Sequence, residues 1–69
     1  MENQLVDFYS FNGKIYLVIK SVIYNNNSYV FLCNEMDNSD DMIRRVSGNK
    51  LLPIETDEEL LSVIKKMFS

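Results

Sequence analysis

The clearest pattern along the chain is a mostly hydrophobic run from Phe8 to Phe11, a break at Asn12-Gly13, and a second run from Ile15 to Ile19. An Asn-Gly pair accepts the positive φ angles of a two-residue type I′ turn, so the spacing predicts a hairpin with strands over 4–11 and 14–23. That turn pairs Phe11 with Lys14, Ser10 with Ile15, Tyr9 with Tyr16, Phe8 with Leu17, Asp7 with Val18 and Val6 with Ile19. Side chains alternate faces along a strand. One face, face A, then collects Val6, Phe8, Ile15, Leu17 and Ile19, and the opposite face B collects Leu5, Asp7, Tyr9, Tyr16, Val18 and Lys20.

A second turn lies in Tyr24-Asn25-Asn26-Asn27, because asparagine tolerates the left-handed conformation better than other residues with a Cβ. Centred on Asn25-Asn26, it predicts a third strand over 28–35. Ile19 then stands opposite Leu32, Lys20 opposite Phe31, Ser21 opposite Val30 and Val22 opposite Tyr29. Val30 and Leu32 thereby join face A, and two turns read independently agree on one apolar face. From Glu35 to Asp41 the chain is acidic and polar with little β-propensity, which predicts an exposed loop. Strands over 42–46 and 50–54 follow, joined at Ser47-Gly48-Asn49, and Pro53 suits a strand end because it lacks an N–H.

Thr56-Asp57-Glu58-Glu59 has the spacing of a capping box and opens a helix over 57–68, with Leu60, Ile64, Met67 and Phe68 on one stripe and Leu61 beside it. Carboxylates in its first turn and Lys65-Lys66 near its last match the helix dipole. The whole reads as one α+β domain over 1–69: a small antiparallel β-meander of four to five strands with one C-terminal helix packed on one face. The sheet is open to curling toward a partial barrel.

Composition narrows the class. At 69 residues, with 46% hydrophobic and 12% aromatic residues, the chain is too apolar for intrinsic disorder and too short for more than one domain. Cys33 is the single cysteine, so no internal disulfide is available and a reducing, cytoplasmic setting is expected. No unbroken apolar stretch, Ile15 to Ile19 among them, approaches a membrane span, and no leader or membrane contact is expected. A net charge of −3 disfavours nonspecific attraction to nucleic-acid backbones.

The stretches Ile23-Tyr24-Asn25-Asn26-Asn27-Ser28-Tyr29, Ile43-Arg44-Arg45-Val46 and Leu52-Pro53-Ile54-Glu55-Thr56-Asp57-Glu58-Glu59 have a familiar order. In that order the chain resembles the YrzB-like family of small bacterial proteins of unknown function, found in Firmicutes. The resemblance covers nearly the whole chain. It implies the hairpin, acidic loop and acidic-capped helix described above, and it implies no activity. Asn26 stands where that family usually has glycine, and the stretch from Glu35 to Asp41 is less acidic than is common there.

With no histidine and one cysteine, the chain offers no thiol–imidazole pair, no Ser/His/Asp set and no zinc site of nitrogen and sulfur ligands. Asp37 to Asp41 imitates the start of a calcium loop, but Met42 stands where the glycine is needed and Gly48 where the bidentate glutamate is needed. The only glycines, Gly13 and Gly48, are turn residues, so no phosphate-cradling loop is present. Arg44 and Arg45 are adjacent strand residues that point to opposite faces and cannot form one clamp. No enzyme activity, metal or cofactor is expected.

One short helix covers one side of a sheet, which turns attention to face B. Left open, it presents Tyr9, Tyr16, Val18, Tyr29 and Phe31 as a partner-binding surface, since aromatics dominate interface hot spots. The competing reading is that the long second strand bends near Lys20-Ser21 and the sheet curls, burying part of that face. The leading functional expectation is a noncatalytic protein-interaction or regulatory module, with a homodimer as one version. A different class is an acidic inhibitor of a nucleic-acid-processing enzyme, working by charge mimicry through Glu35, Asp37, Asp40, Asp41, Asp57 and Glu58. Weak single-stranded nucleic-acid binding on the aromatic face is the third reading, and only Lys20 supplies a cation there.

Overall fold

The computed structural model describes residues 8–69 and contains five strands and one helix. They are β1 (Phe8–Phe11), β2 (Lys14–Tyr24), β3 (Asn27–Asn34), β4 (Asp37–Ser47), β5 (Lys50–Leu52) and α1 (Asp57–Met67). The strands pair antiparallel in chain order, and the five-stranded sheet curls into a half-barrel.

The turns have the chemistry their residues dictate. Asn12 and Gly13 sit at φ 55° and 75°, the two positive angles of a type I′ turn, and the four expected pairs from Phe11↔Lys14 to Phe8↔Leu17 form. The further expected pairs of Val6 and Asp7, and the placement of Leu5, lie outside the described residues. Asn25 and Asn26, at φ 54° and 67°, make a second such turn between Tyr24 and Asn27. At the third, Gly48 alone of the central pair has a positive φ, 62°, which fits a type II′ turn closing Ser47↔Lys50.

The register of β2 against β3 follows expectation from Tyr24 back to Lys20, with Val22↔Tyr29, Ser21↔Val30 and Lys20↔Phe31. It then departs: Leu32 pairs with Val18, not with Ile19, because Ile19 is a bulge residue without a partner. Strand side chains repeat every second residue, so one inserted residue exchanges the faces of everything beyond it. The apolar face expected from the two turns is therefore split. Val30 and Leu32 are buried, whereas Phe8, Leu17 and Ile19 are 54%, 41% and 53% exposed.

Two clusters make the core. On the concave inner face Tyr16, Val30 and Leu32 are buried together, ringed by Tyr9, Phe11, Val18, Met42, Val46 and Leu51. Phe11 and Tyr16 meet edge to face at 6.2 Å, a favoured aromatic geometry. In the second cluster Tyr29 is buried with Val63 and Met67 of α1, and Val22, Tyr24, Phe31, Ile43 and Ile54 pack around them. The helical stripe is centred on Val63, which the Leu60-Ile64-Met67-Phe68 reading omitted. Leu61 and Phe68 are exposed.

The largest correction concerns residues 35–41, expected as a loop. They form a two-residue turn, Glu35-Met36, followed by the first part of β4. Polar side chains build this region. The Asn34 Oδ1 atom accepts from the Met36 N–H at 2.8 Å, and Asp37 Oδ1 accepts from both the N–H (3.0 Å) and the hydroxyl (2.7 Å) of Ser39. Pairs Cys33↔Asp41 and Asn34↔Asp37 leave Asn38, Ser39 and Asp40 as a wide bulge. β5 stops at Leu52, before Pro53 and earlier than the expected 54, and α1 stops at Met67 with Phe68 as its C-cap.

Candidate interaction surfaces

Face B does not survive as one surface. Tyr16 is 4% exposed and sits on the inner face with the half-buried Tyr9 and Val18, while Tyr29, 1% exposed, and the half-buried Phe31 belong to the outer cluster. The bulge at Ile19 separates the two groups. Curling buries the first, and side chains of α1 contact the second. No common aromatic platform faces solvent, which removes the ground for stacking nucleic-acid bases there.

The polar atoms of the buried tyrosines are satisfied internally. The Tyr16 hydroxyl donates to Asp40 Oδ2 at 2.8 Å, and the buried Asn34 donates its amide to the same oxygen at 3.0 Å. These bonds, Asn34 first and Tyr16 second, hold the Asp40 carboxyl below the usual carboxylate range. The same hydrogen bond raises the Tyr16 hydroxyl above its ordinary value. Asp40 is thus a fixed part of the fold.

At the other end of the molecule the Tyr29 hydroxyl donates to the Glu59 carboxylate. Burial first, and this hydrogen bond second, raise Tyr29 above the usual tyrosine value. Glu59 is therefore tied to the sheet, while its N–H bonds the Thr56 Oγ1 atom at 3.1 Å. The Thr56 half of the sequence's capping box is present, and the glutamate side chain serves Tyr29.

The acidic residues do not pool. Glu58 and Glu59 line a groove with Tyr24, Asn25 and Asn27, which puts the start of α1 beside the β2–β3 turn. Glu35 and Asp37 lie at the β3–β4 turn, at the opposite end of β3. The eight residues of β3 span roughly 26 Å at the usual rise of a strand, more than two Debye lengths at physiological salt. Asp41 pairs with Cys33 near the Glu35 end, and Asp57 begins the helix at the other end.

Exposed apolar side chains are spread over the molecule, with Ile23 near the β2–β3 turn, Met36 in the β3–β4 turn and Leu61 on α1, and a further group lies on the first hairpin. Phe8 pairs with Leu17, and Leu17 with the half-buried Cys33, two positions along β3 from Phe31. Phe68 stacks edge to face on Phe31 at 5.5 Å and is itself half exposed. The Lys20 ammonium lies 4.9 Å from the Phe68 ring centre and donates to the Met67 carbonyl at 3.3 Å. Ile19, the bulge residue next to Lys20, is 53% exposed. Nothing in the composition singled out these residues, because the uninterrupted register assigned them to the core.

Among the described residues no three His, Cys, Asp or Glu side chains form a group able to hold a metal ion, and no helix is long and apolar enough to cross a membrane. Comparisons with protein-family models, with curated proteins and with solved structures return no match.

Proposed function

We propose that this chain is a noncatalytic interaction module, with α1 seated on one end of the outer face and the apolar strip of Phe8, Leu17 and Ile19, continued by Phe68, as its docking surface. The observation that carries the reading is the exposure of four large apolar side chains on one side of a protein this small. The occupant we assign is a partner-protein segment with apolar anchors and acidic flanks. Lys20, Lys65 and Lys66 gather at the Phe68 end, whereas the first-turn carboxylates Asp57, Glu58 and Glu59 lie at the far end of α1. A basic rim on a protein of net charge −3 favours an acidic partner locally, and the overall charge disfavours an anionic lipid surface.

Catalysis has little support. Asp40, which accepts from Tyr16 and Asn34, is pushed down, the reverse of what a general acid needs. Separation of the acidic groups takes away the pooled charge that mimicry of a nucleic acid requires.

The test uses synthetic peptides of identical apolar spacing flanked by Glu or by Lys, titrated into the protein while amide NMR shifts are followed. The Glu-flanked peptide should shift residues around Phe8, Leu17, Ile19 and Phe68, weaken as salt rises, and lose about tenfold in affinity with Leu17→Ser. Equal binding of both peptides, an unchanged affinity in Leu17→Ser, or preference for phosphatidylglycerol vesicles over both peptides refutes the assignment.

A further inference from the structure

A polar groove of about 480 Å³ lies at the end of the outer face opposite the apolar strip. Its walls come from separate parts of the chain: Tyr24 and Asn27 from the β2–β3 turn, Arg45 from β4, and Thr56, Glu58 and Ser62 from the start of α1. The volume falls within the range of small-molecule sites. Its floor is rigid, because buried Tyr29 is bonded to Glu59 and Glu59 is bonded through its N–H to Thr56. The Tyr24 ring stands tilted against Tyr29 at 6.4 Å.

Charge decides the ligand class. Arg45 brings a positive group from the sheet, and Glu58 brings a negative one from the helix, into the same groove. With Glu59 taken up by the Tyr29 hydroxyl, a purely anionic ligand meets Glu58 and a purely cationic one meets Arg45, so each gains one attraction at the cost of a repulsion. A ligand carrying both signs satisfies both walls. We propose that the groove binds a small zwitterion, a free α-amino acid or a dipeptide. Its carboxylate lies on the Arg45 guanidinium, whose planar fork matches two carboxylate oxygens. Its ammonium lies between Glu58 and the face of Tyr24, as cations do over tyrosine rings. This site is independent of the apolar strip, and its fate does not depend on that reading.

The experiment is an amide NMR titration of the full chain with glycine, alanine, glycylglycine, and the N-acetyl and C-amide forms of each. Zwitterions at about 10 mM should give saturable shifts at Asn27, Arg45 and Glu58, since that concentration reports any dissociation constant down from the millimolar range. Masking either charge, or changing Arg45→Gln or Glu58→Gln, should weaken binding at least tenfold. Tighter binding of glycylglycine assigns a dipeptide, and tighter binding of glycine or alanine assigns a free amino acid. No saturable shift with any zwitterion, or equal binding of the acetylated or amidated forms, overturns the proposal. The masked ligands report on the unaltered protein, so a variant that fails to fold leaves the test intact.

Discussion

Replacing Ile19 by serine distinguishes a bulged β2 from a regular one. Ile19 is 53% exposed, so about half of its side chain already meets water. Full burial of an isoleucine is worth about 1.5–3 kcal/mol, which limits the cost of Ile19→Ser to roughly 1 kcal/mol. Had Ile19 paired with Leu32 in the core, the same change would bury a hydroxyl in a cavity and cost about 3 kcal/mol or more. Leu32→Ala serves as the reference, since Leu32 is 0% exposed and its truncation should cost about 2–5 kcal/mol. Native stability for 69 residues is roughly 3–10 kcal/mol, so the reference change is large and the test change small. Urea unfolding followed by far-UV circular dichroism measures both. The expected result is a midpoint displaced slightly in Ile19→Ser and strongly in Leu32→Ala, with Tm moving about 4–8 °C per kcal/mol. A loss above about 2 kcal/mol in Ile19→Ser refutes the bulge and restores the uninterrupted apolar face.

Three further outcomes follow from individual groups. Gly13→Ala should cost about 1–2 kcal/mol through backbone strain alone, because φ is +75° and an added Cβ meets nothing within 4 Å; a neutral result in urea unfolding rejects the positive-φ turn. Asp40, depressed in the folded state, contributes stability that is complete above the ordinary carboxylate value of about 4 and is lost as pH falls through its lower folded value. The stability gap between the native protein and Asp40→Asn should accordingly close in acid, and a gap constant with pH argues against the Tyr16–Asp40–Asn34 network. Tyr16 and Tyr29 are raised, so their contributions are complete below the ordinary tyrosine value of about 10 and are lost as pH rises through the higher folded values. Tyrosinate absorbance should lose a late-titrating component in Tyr29→Phe, and an unaltered curve contradicts the buried hydrogen bond to Glu59.

The turns were legible because each is a local problem. Asn12-Gly13 and Asn25-Asn26 carry the residues that positive φ demands, and each hairpin register near its turn follows directly. The helix was legible from Thr56 for the same reason. The bulge at Ile19 was not, since it lies in the middle of an eleven-residue strand where two registers give equally apolar pairings. Leu32 opposite Ile19 and Leu32 opposite Val18 look alike in sequence; sheet curvature, a property of all five strands together, selects between them. The stretch 35–41 misled in another way. Its polar side chains are those of a loop by composition, yet Asn34, Asp37 and Asp40 spend them on the turn, on Ser39 and on Tyr16. Face B failed because it was assembled across the bulge.

The exposed strip follows from element lengths. Eleven residues of helix reach about 16 Å, whereas eleven residues of β2 reach about 36 Å, so α1 is less than half as long as that strand. The curl of the sheet buries the inner face without help from a helix, which is why Tyr9, Tyr16 and Val18 need no cover. On the outer face the curl does the opposite and fans the side chains apart, leaving Phe8 and Leu17 to water beyond the reach of α1. Geometry therefore explains why this end is bare, but it sets no demand that it be apolar: serine or lysine at Phe8, Leu17 and Ile19 would leave both core clusters intact. Exposed positions that folding does not require to be hydrophobic, yet which are hydrophobic together, are those expected of an interface. Stability and binding should separate at Ile19 and Leu17, where the first changes little and the second weakens about tenfold.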